Sequence, residues 1–152
     1  MNRVSVITGG AGGMGLATAK IIGRDHAVVL CDVRQDRLNA AAATLKDLGI
    51  TPTAVDCDVT DRGAVGALLD TATKLGTLAS VIHAAGVSPS MGAADYVMRT
   101  NAVGTVNVNE AFYQIAGEGA MSQAASMAPM KASGSSEASG NWCAGTISAG
   151  SM

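Results

Sequence analysis

The octapeptide Thr8-Gly9-Gly10-Ala11-Gly12-Gly13-Met14-Gly15 constrains this chain more than any other stretch. It stands between a β-branched apolar run at residues 3–8 and a segment, 14–24, in which Gly15, Leu16, Ala19 and Ile22 recur at helical spacing. A strand that turns into a helix through glycines makes a place for a phosphate group. The turn is tight, no Cβ keeps a ligand from the backbone, and the helix N-terminus offers N–H groups and the positive end of its dipole. This context predicts a dinucleotide-binding loop in which Gly9, Ala11, Gly13, Met14 and Gly15 approach the pyrophosphate. A Walker-type loop is excluded, because no Gly-Lys-Ser/Thr closes the run.

The same alternation of period continues down the chain. Residues 27–31 read as a second apolar strand, closed by Asp32. Residues 36–48 read as a helix with Leu38, Ala41, Leu45 and Leu48 on one face, Asp36 as its N-cap and Gly49 at its C-terminal end. A third strand is expected at 51–55, and Thr60 is expected to cap a helix to residue 75 with the stripe Val65, Leu68, Leu69 and Ala72. Residues 80–84 form a fourth apolar strand, and a Gly/Ser/Pro loop at 86–92 leads into a long helical pattern at 94–116. Apolar strands alternating with helices of this length predict an α/β, Rossmann-like, doubly wound parallel sheet with helices on both faces.

The pattern changes after residue 118. Residues 1–118 hold 29 Val, Ile and Leu, whereas residues 119–152 hold one, Ile147, and 21 of those 34 are Gly, Ala or Ser. At ~25 cal/mol per Å² of buried apolar surface, such a tail gains little against its ordering entropy. The expected organisation is one dinucleotide-binding domain at 1–118. Residues 119–152 form an irregular tail or degenerate remainder, weakly structured or ordered only against something else.

Ten Lys and Arg stand against twelve Asp and Glu. A net charge of -2 offers no basic excess for nucleic-acid phosphates. Apolar stretches such as 27–31 fall far short of the ~20 residues of a membrane span. The first residues run straight into a strand pattern without a signal-peptide core. Cys31, Cys57 and Cys143 are odd in number and widely spaced, giving neither a disulfide framework nor a metal knuckle. Free thiols in a reducing cytoplasm are the expectation, with no metal and no membrane.

Asp32 ends the second strand, 17 residues beyond Gly15. A carboxylate there accepts both hydroxyls of an adenosine ribose, or else serves as a turn residue before the next helix. Like charge against a 2′-phosphate favours NAD over NADP, tempered by Arg34 and Arg37 nearby.

Thr8-Gly9-x-x-x-Gly13-x-Gly15 resembles the cofactor fingerprint of the short-chain dehydrogenase/reductase family. Asp58-Val59 resembles the family's pair beside the adenine ring, although Asp58 also reads as a residue that merely closes a strand. His83-Ala84-Ala85-Gly86 is similar to the family's Asn-Asn-Ala-Gly turn, with both Asn positions replaced. His83 reads as a hydrogen-bonded residue at the sheet end, while the resemblance puts Ala85 and Gly86 beside the nicotinamide ribose. Asn101-Ala102-Val103-Gly104 matches the family's Asn-x-x-Gly, whose Asn interrupts the long helix and holds a water of the proton relay.

The resemblance covers roughly residues 3–118 and then breaks. Ser126 is spaced to be the family's catalytic Ser, behind a poor strand at 120–123. The family's Tyr-x-x-x-Lys is missing: Tyr96 and Tyr113 are followed four residues on by Thr100 and Gly117, and Lys131 follows no suitable Tyr. The family's last two strands are expected to be absent as well.

The resemblance implies an NAD-dependent oxidoreductase moving hydride between nicotinamide and a small-molecule carbonyl or secondary alcohol. Asn101 and Ser126 are its candidate catalytic residues. It also implies a homo-oligomer built on the 94–116 helix, whose Val97, Met98, Val106 and Phe112 exceed what one face buries. Two alternatives stand beside it: a non-catalytic NAD-binding module, and an interaction protein that uses the long helix only for assembly.

Overall fold

The computed structural model describes residues 2–116, 120–126 and 143–148, the last two strands through their backbone alone. The apolar runs become strands β1 (Arg3–Thr8), β2 (Ala27–Asp32), β3 (Thr53–Asp56) and β4 (Thr77–His83). Helices α1 (Gly13–Ile22), α2 (Gln35–Asp47) and α3 (Arg62–Leu75) connect them in turn. The long helical pattern divides into α4 (Ala94–Met98), one wide π-type turn (Arg99–Val103) and α5 (Gly104–Ile115). Strands β5 (Met121–Ser126) and β6 (Cys143–Ser148) complete one sheet of order β3-β2-β1-β4-β5-β6.

Pairing is parallel from β3 through β5, with Val6 beside Val29 and Val81. Because β4 returns to the far side of β1, the strand order reverses there. The C-terminal ends of β1 and β4 therefore border a crevice, where open α/β sheets take their ligands.

The side-chain alternation of β1 divides the core. Val4 and Val6 pack with Val65, Leu68, Leu69, Val108 and Phe112 beneath α3 and α5. Ile7 packs on the other face with Ala19, Leu38, Ala41 and Leu45 of α1 and α2. Burying each large aliphatic or Phe side chain contributes about 1.5–3 kcal/mol.

Several expectations need correction. Asp61, not Thr60, caps α3, its carboxylate accepting from the N–H groups of Gly63 (2.8 Å) and Ala64 (3.1 Å). Asp36 lies inside the first turn of α2 and pairs with Arg34 at 3.2 Å, because the helix begins one residue earlier than its apolar stripe implied. The edge strand β3 alternates in burial instead of being covered on both faces. The poor strand at 120–123 is β5, held in register by backbone pairing to β4. It is followed by an antiparallel β6, where no further strand was expected and a wholly parallel sheet was. Gly49 stands as expected just past α2, at φ +78°.

Candidate functional site

The glycine loop owes its shape to contacts that leave no room for side chains. Gly9 has φ +64°, and a Cβ on it would lie 2.6 Å from the Ala85 nitrogen. The chain after β1 thus rests directly on the turn after β4. A Cβ on Gly15 would overlap the Gly9 carbonyl oxygen, which brings α1 close beneath the loop. Gly13 differs, since its Cβ direction meets nothing within 4 Å. Open space therefore lies over the first turn of α1, whose N-cap is Gly12 without any side-chain cap. An uncapped helix N-terminus beside open space fits the pyrophosphate of a dinucleotide.

Asp32 ends β2 facing this loop. Its carboxylate accepts from the Ala11 N–H and the Arg34 N–H, each at 3.2 Å. These bonds orient it toward the cleft that runs along the strand ends. Asp58 accepts from the Thr60 N–H at 2.8 Å, so it closes the strand and also lines the cleft. Val59 is clamped from behind: Asn107 donates to its carbonyl at 3.0 Å, and Gly104 lets α5 approach its side chain.

The cleft encloses about 630 Å³. Of the residues expected to hold the cofactor, Gly9, Asp32, Asp58, Val59, Ala85 and Gly86 line the cleft, whereas Ala11, Gly13, Met14 and Gly15 form the loop and helix start outside its lining. Sequence reasoning missed its outer wall of Met91, Tyr96, Arg99 and Thr100, supplied by a loop and helix without a motif of their own. It also missed Cys31 and Cys57 as lining residues. Cys31 is a neutral thiol, pushed well above its ordinary range by its hydrogen bond with Cys57 and by burial.

Asn101 does not line the cleft but builds it. Its Oδ1 accepts from the Val87 N–H at 2.9 Å, and its Nδ2 donates to the Val87 carbonyl at 2.8 Å. It sits inside the π-type turn, so the helix is interrupted where the resemblance implied. His83 is buried between Thr8 (2.6 Å) and Thr105 (3.1 Å), and burial lowers its pKa to about 4. Ser126 ends β5, two residues beyond Ala124, the partner of His83. That puts its backbone at the C-terminal edge of the sheet, on the side of the crevice. Lys131 lies outside the described residues. Among the described residues no group of three or more His, Cys, Asp or Glu is arranged to hold a metal, and no helix is long and apolar enough to cross a membrane.

Comparison with known proteins identifies the family and the fold. Residues 3–137 match the family described as short chain dehydrogenase. Cis-4-hydroxycyclohexanecarboxylate dehydrogenase of Sinomonas cyclohexanicum is 41% identical over 88 residues, 57% of this chain and 35% of that protein. The 3-hydroxyacyl-CoA dehydrogenase type-2 of Drosophila melanogaster is 34% identical over 122 residues, 70% of this chain and 47% of that protein. The crystal structure of a short chain dehydrogenase from Mycobacterium smegmatis superposes with a TM-score of 0.66 at 30% identity, over 75% of this chain and 52% of that one. The chain thus spans about half or less of the length of these relatives.

Proposed function

Because this chain belongs to the short chain dehydrogenase family, we propose that it binds NAD across the C-terminal ends of β1, β2 and β4. The reaction it serves is hydride transfer between a nicotinamide and a small-molecule carbonyl or secondary alcohol. The observation that carries this reading is the continuous cleft from Gly9 past Asp32 and Asp58 to Gly86, beside open space over Gly13 at an uncapped helix start.

In this reading the first turn of α1 receives the pyrophosphate among Gly9, Ala11, Gly13, Met14 and Gly15, and Gly13 keeps a side chain out of its way. Asp32 accepts the adenosine ribose hydroxyls, Asp58 and Val59 flank the adenine, and Ala85 and Gly86 approach the second ribose. The nicotinamide, when bound, supplies the hydride acceptor or donor. Asn101 holds the Val87 backbone against that end of the cleft, and Ser126 orients the substrate oxygen.

Preference for NAD over NADP rests on the Asp32 charge. Arg37 lines the same end, but the Arg34 guanidinium is engaged by Asp36 at 3.2 Å, which weakens its pull on a 2′-phosphate. Self-association through α4 and α5 and a cytoplasmic setting belong to the same reading; the buried free thiols Cys31 and Cys57 suit a reducing compartment.

A second reading, a nucleotide-binding module without turnover, is favoured by one observation: no Tyr in the chain has a Lys four residues on. Titration with NADH and NADPH, repeated on Asp32→Ser, tests the first. NADH is expected to bind at least ~10-fold tighter than NADPH, a difference of ~1.4 kcal/mol, and Asp32→Ser to narrow that gap. Equal affinities in the parent would refute the NAD preference, and no binding of either would refute the site.

A further inference from the structure

His83 is absent from the family turn it replaces, and the proton bookkeeping around it has a single solution. The Thr105 hydroxyl donates to the Asn101 carbonyl at 2.6 Å, so its one proton is committed. Its oxygen can then only accept from the ring of His83, which requires a proton on Nε2. A neutral imidazole with Nε2–H has a bare Nδ1, and that nitrogen accepts from the Thr8 hydroxyl at 2.6 Å. The Thr8 oxygen in turn accepts from the Ala85 N–H at 3.3 Å. The chain runs in order through Ala85, Thr8, His83, Thr105 and Asn101. Its first members touch the glycine loop, and its last is the residue that brackets Val87.

We propose that His83, in its Nε2–H tautomer, is a positioning residue that ties the start of the glycine loop to the π-type turn at Asn101. The link is direct on both sides. Thr8 immediately precedes Gly9, whose backbone rests on Ala85. Thr105 reaches back one turn to the Asn101 carbonyl inside the wide turn. The loop at 84–88 is thereby held from both ends, by Thr8 at Ala85 and by Asn101 at Val87. Resting on the nucleotide reading above, the link makes occupancy of the glycine loop and order at residues 99–105 interdependent.

The test uses the full chain. Two-bond ¹H–¹⁵N correlation is expected to show a buried imidazole protonated at Nε2 at neutral pH; protonation at Nδ1 instead would overturn the proposal. Without nucleotide, amide exchange across residues 99–105 is expected to quicken about fivefold in Thr105→Val and in His83→Leu, the effect of losing one net hydrogen bond, while α2 is unchanged. Adding NADH to the parent should slow exchange at 99–105, and Thr105→Val should bind NADH yet lose most of that slowing. An NADH-bound Thr105→Val with the parent's full protection would overturn the link. Failure of the parent to bind NADH would instead count against the nucleotide site and the interdependence, leaving the tautomer and the nucleotide-free exchange to decide the link. Should His83→Leu not fold, Thr105→Val, which trades one hydroxyl for a methyl, carries the comparison alone.

Discussion

Two neighbouring glycines separate binding from folding at the residue scale. Gly13 faces open space, and Gly15 faces the Gly9 carbonyl. Gly13→Val is therefore expected to melt at the parent's temperature within a few degrees while losing NADH binding, because its side chain fills the space over α1. Gly15→Val should destabilise the protein itself, through the overlap with the loop backbone. Thermal denaturation and NADH titration of both variants check this; a Gly13→Val protein that binds as the parent does would move the pyrophosphate elsewhere. His83 carries a second prediction. Its pKa is about 4 when folded, against 6.5 in an exposed imidazole, because burial disfavours the charged form. Above pH 6.5 both states are neutral and this position adds no pH dependence. As pH falls from 6.5 toward 4 the unfolded chain takes up a proton that the folded one refuses, so stability declines by about 3 kcal/mol in total. Urea unfolding at pH 7 and pH 4.5 is expected to show a larger loss in the parent than in His83→Asn, which has no titrating group at that position. Equal losses in both would show that His83 is not the group responsible.

Caps and interruptions decide where elements begin at the next scale. Asp61→Ala removes two hydrogen bonds at the start of α3 and is expected to lower stability by about 1 kcal/mol, read as a lower melting temperature with NADH affinity retained. Gly104→Ala pushes on Val59 Cγ2 at 2.7 Å, and Val59 lines the cleft, so it is expected to weaken NADH binding severalfold more than it lowers stability. These same places mark the limits of what the sequence reveals. Strands β1, β2 and β4 are legible because β-branched runs end at glycine or Asp, and Asp32 is legible because it stands at such an end. Strand β5 is not. Met-Ser-Gln-Ala-Ala-Ser has no β-branched residue, and only the backbone edge that β4 offers tells it to extend. The cap of α3 was misplaced by one residue because Thr60 and Asp61 are both good caps, and the Asp58 carboxylate engages the Thr60 N–H first. The π-type turn has no periodic signature at all. Only the family resemblance of Asn101-x-x-Gly104 pointed to it, and the pair of hydrogen bonds between the Asn101 side chain and the Val87 backbone gives its physical reason.

Across the whole molecule, the outer side of α4, the π-type turn and α5 presents Met98, Val103, Val106 and Tyr113, each more than two-fifths exposed, while Phe112 and Val108 are buried in the core shared with α3 and the sheet. An apolar face of this kind is expected to pair copies of the chain, so sedimentation velocity at micromolar concentration should show a dimer or larger species, and Val106→Asp should shift it toward monomer. A single monomeric boundary in the parent would count against that face. Turnover is the remaining question of the assembled protein, and here the site and the sequence pull apart. In the proposed reading the cleft, Asp32 and the bracketed loop supply binding and positioning, but the phenol and the Lys that would activate it are missing from the family's spacing. Proton donation by a placed acid is typically worth ~10²–10⁴ in rate. The 152-residue chain is therefore expected to bind NADH yet oxidise it at most near the detection limit with a panel of ketones and aldehydes. Tyr96 is the phenol in the cleft wall, so any residual rate should fall in Tyr96→Phe and persist in Tyr113→Phe, whose side chain lies on the exposed helix face. Brisk turnover unaffected by either change would mean that another group in this chain donates the proton.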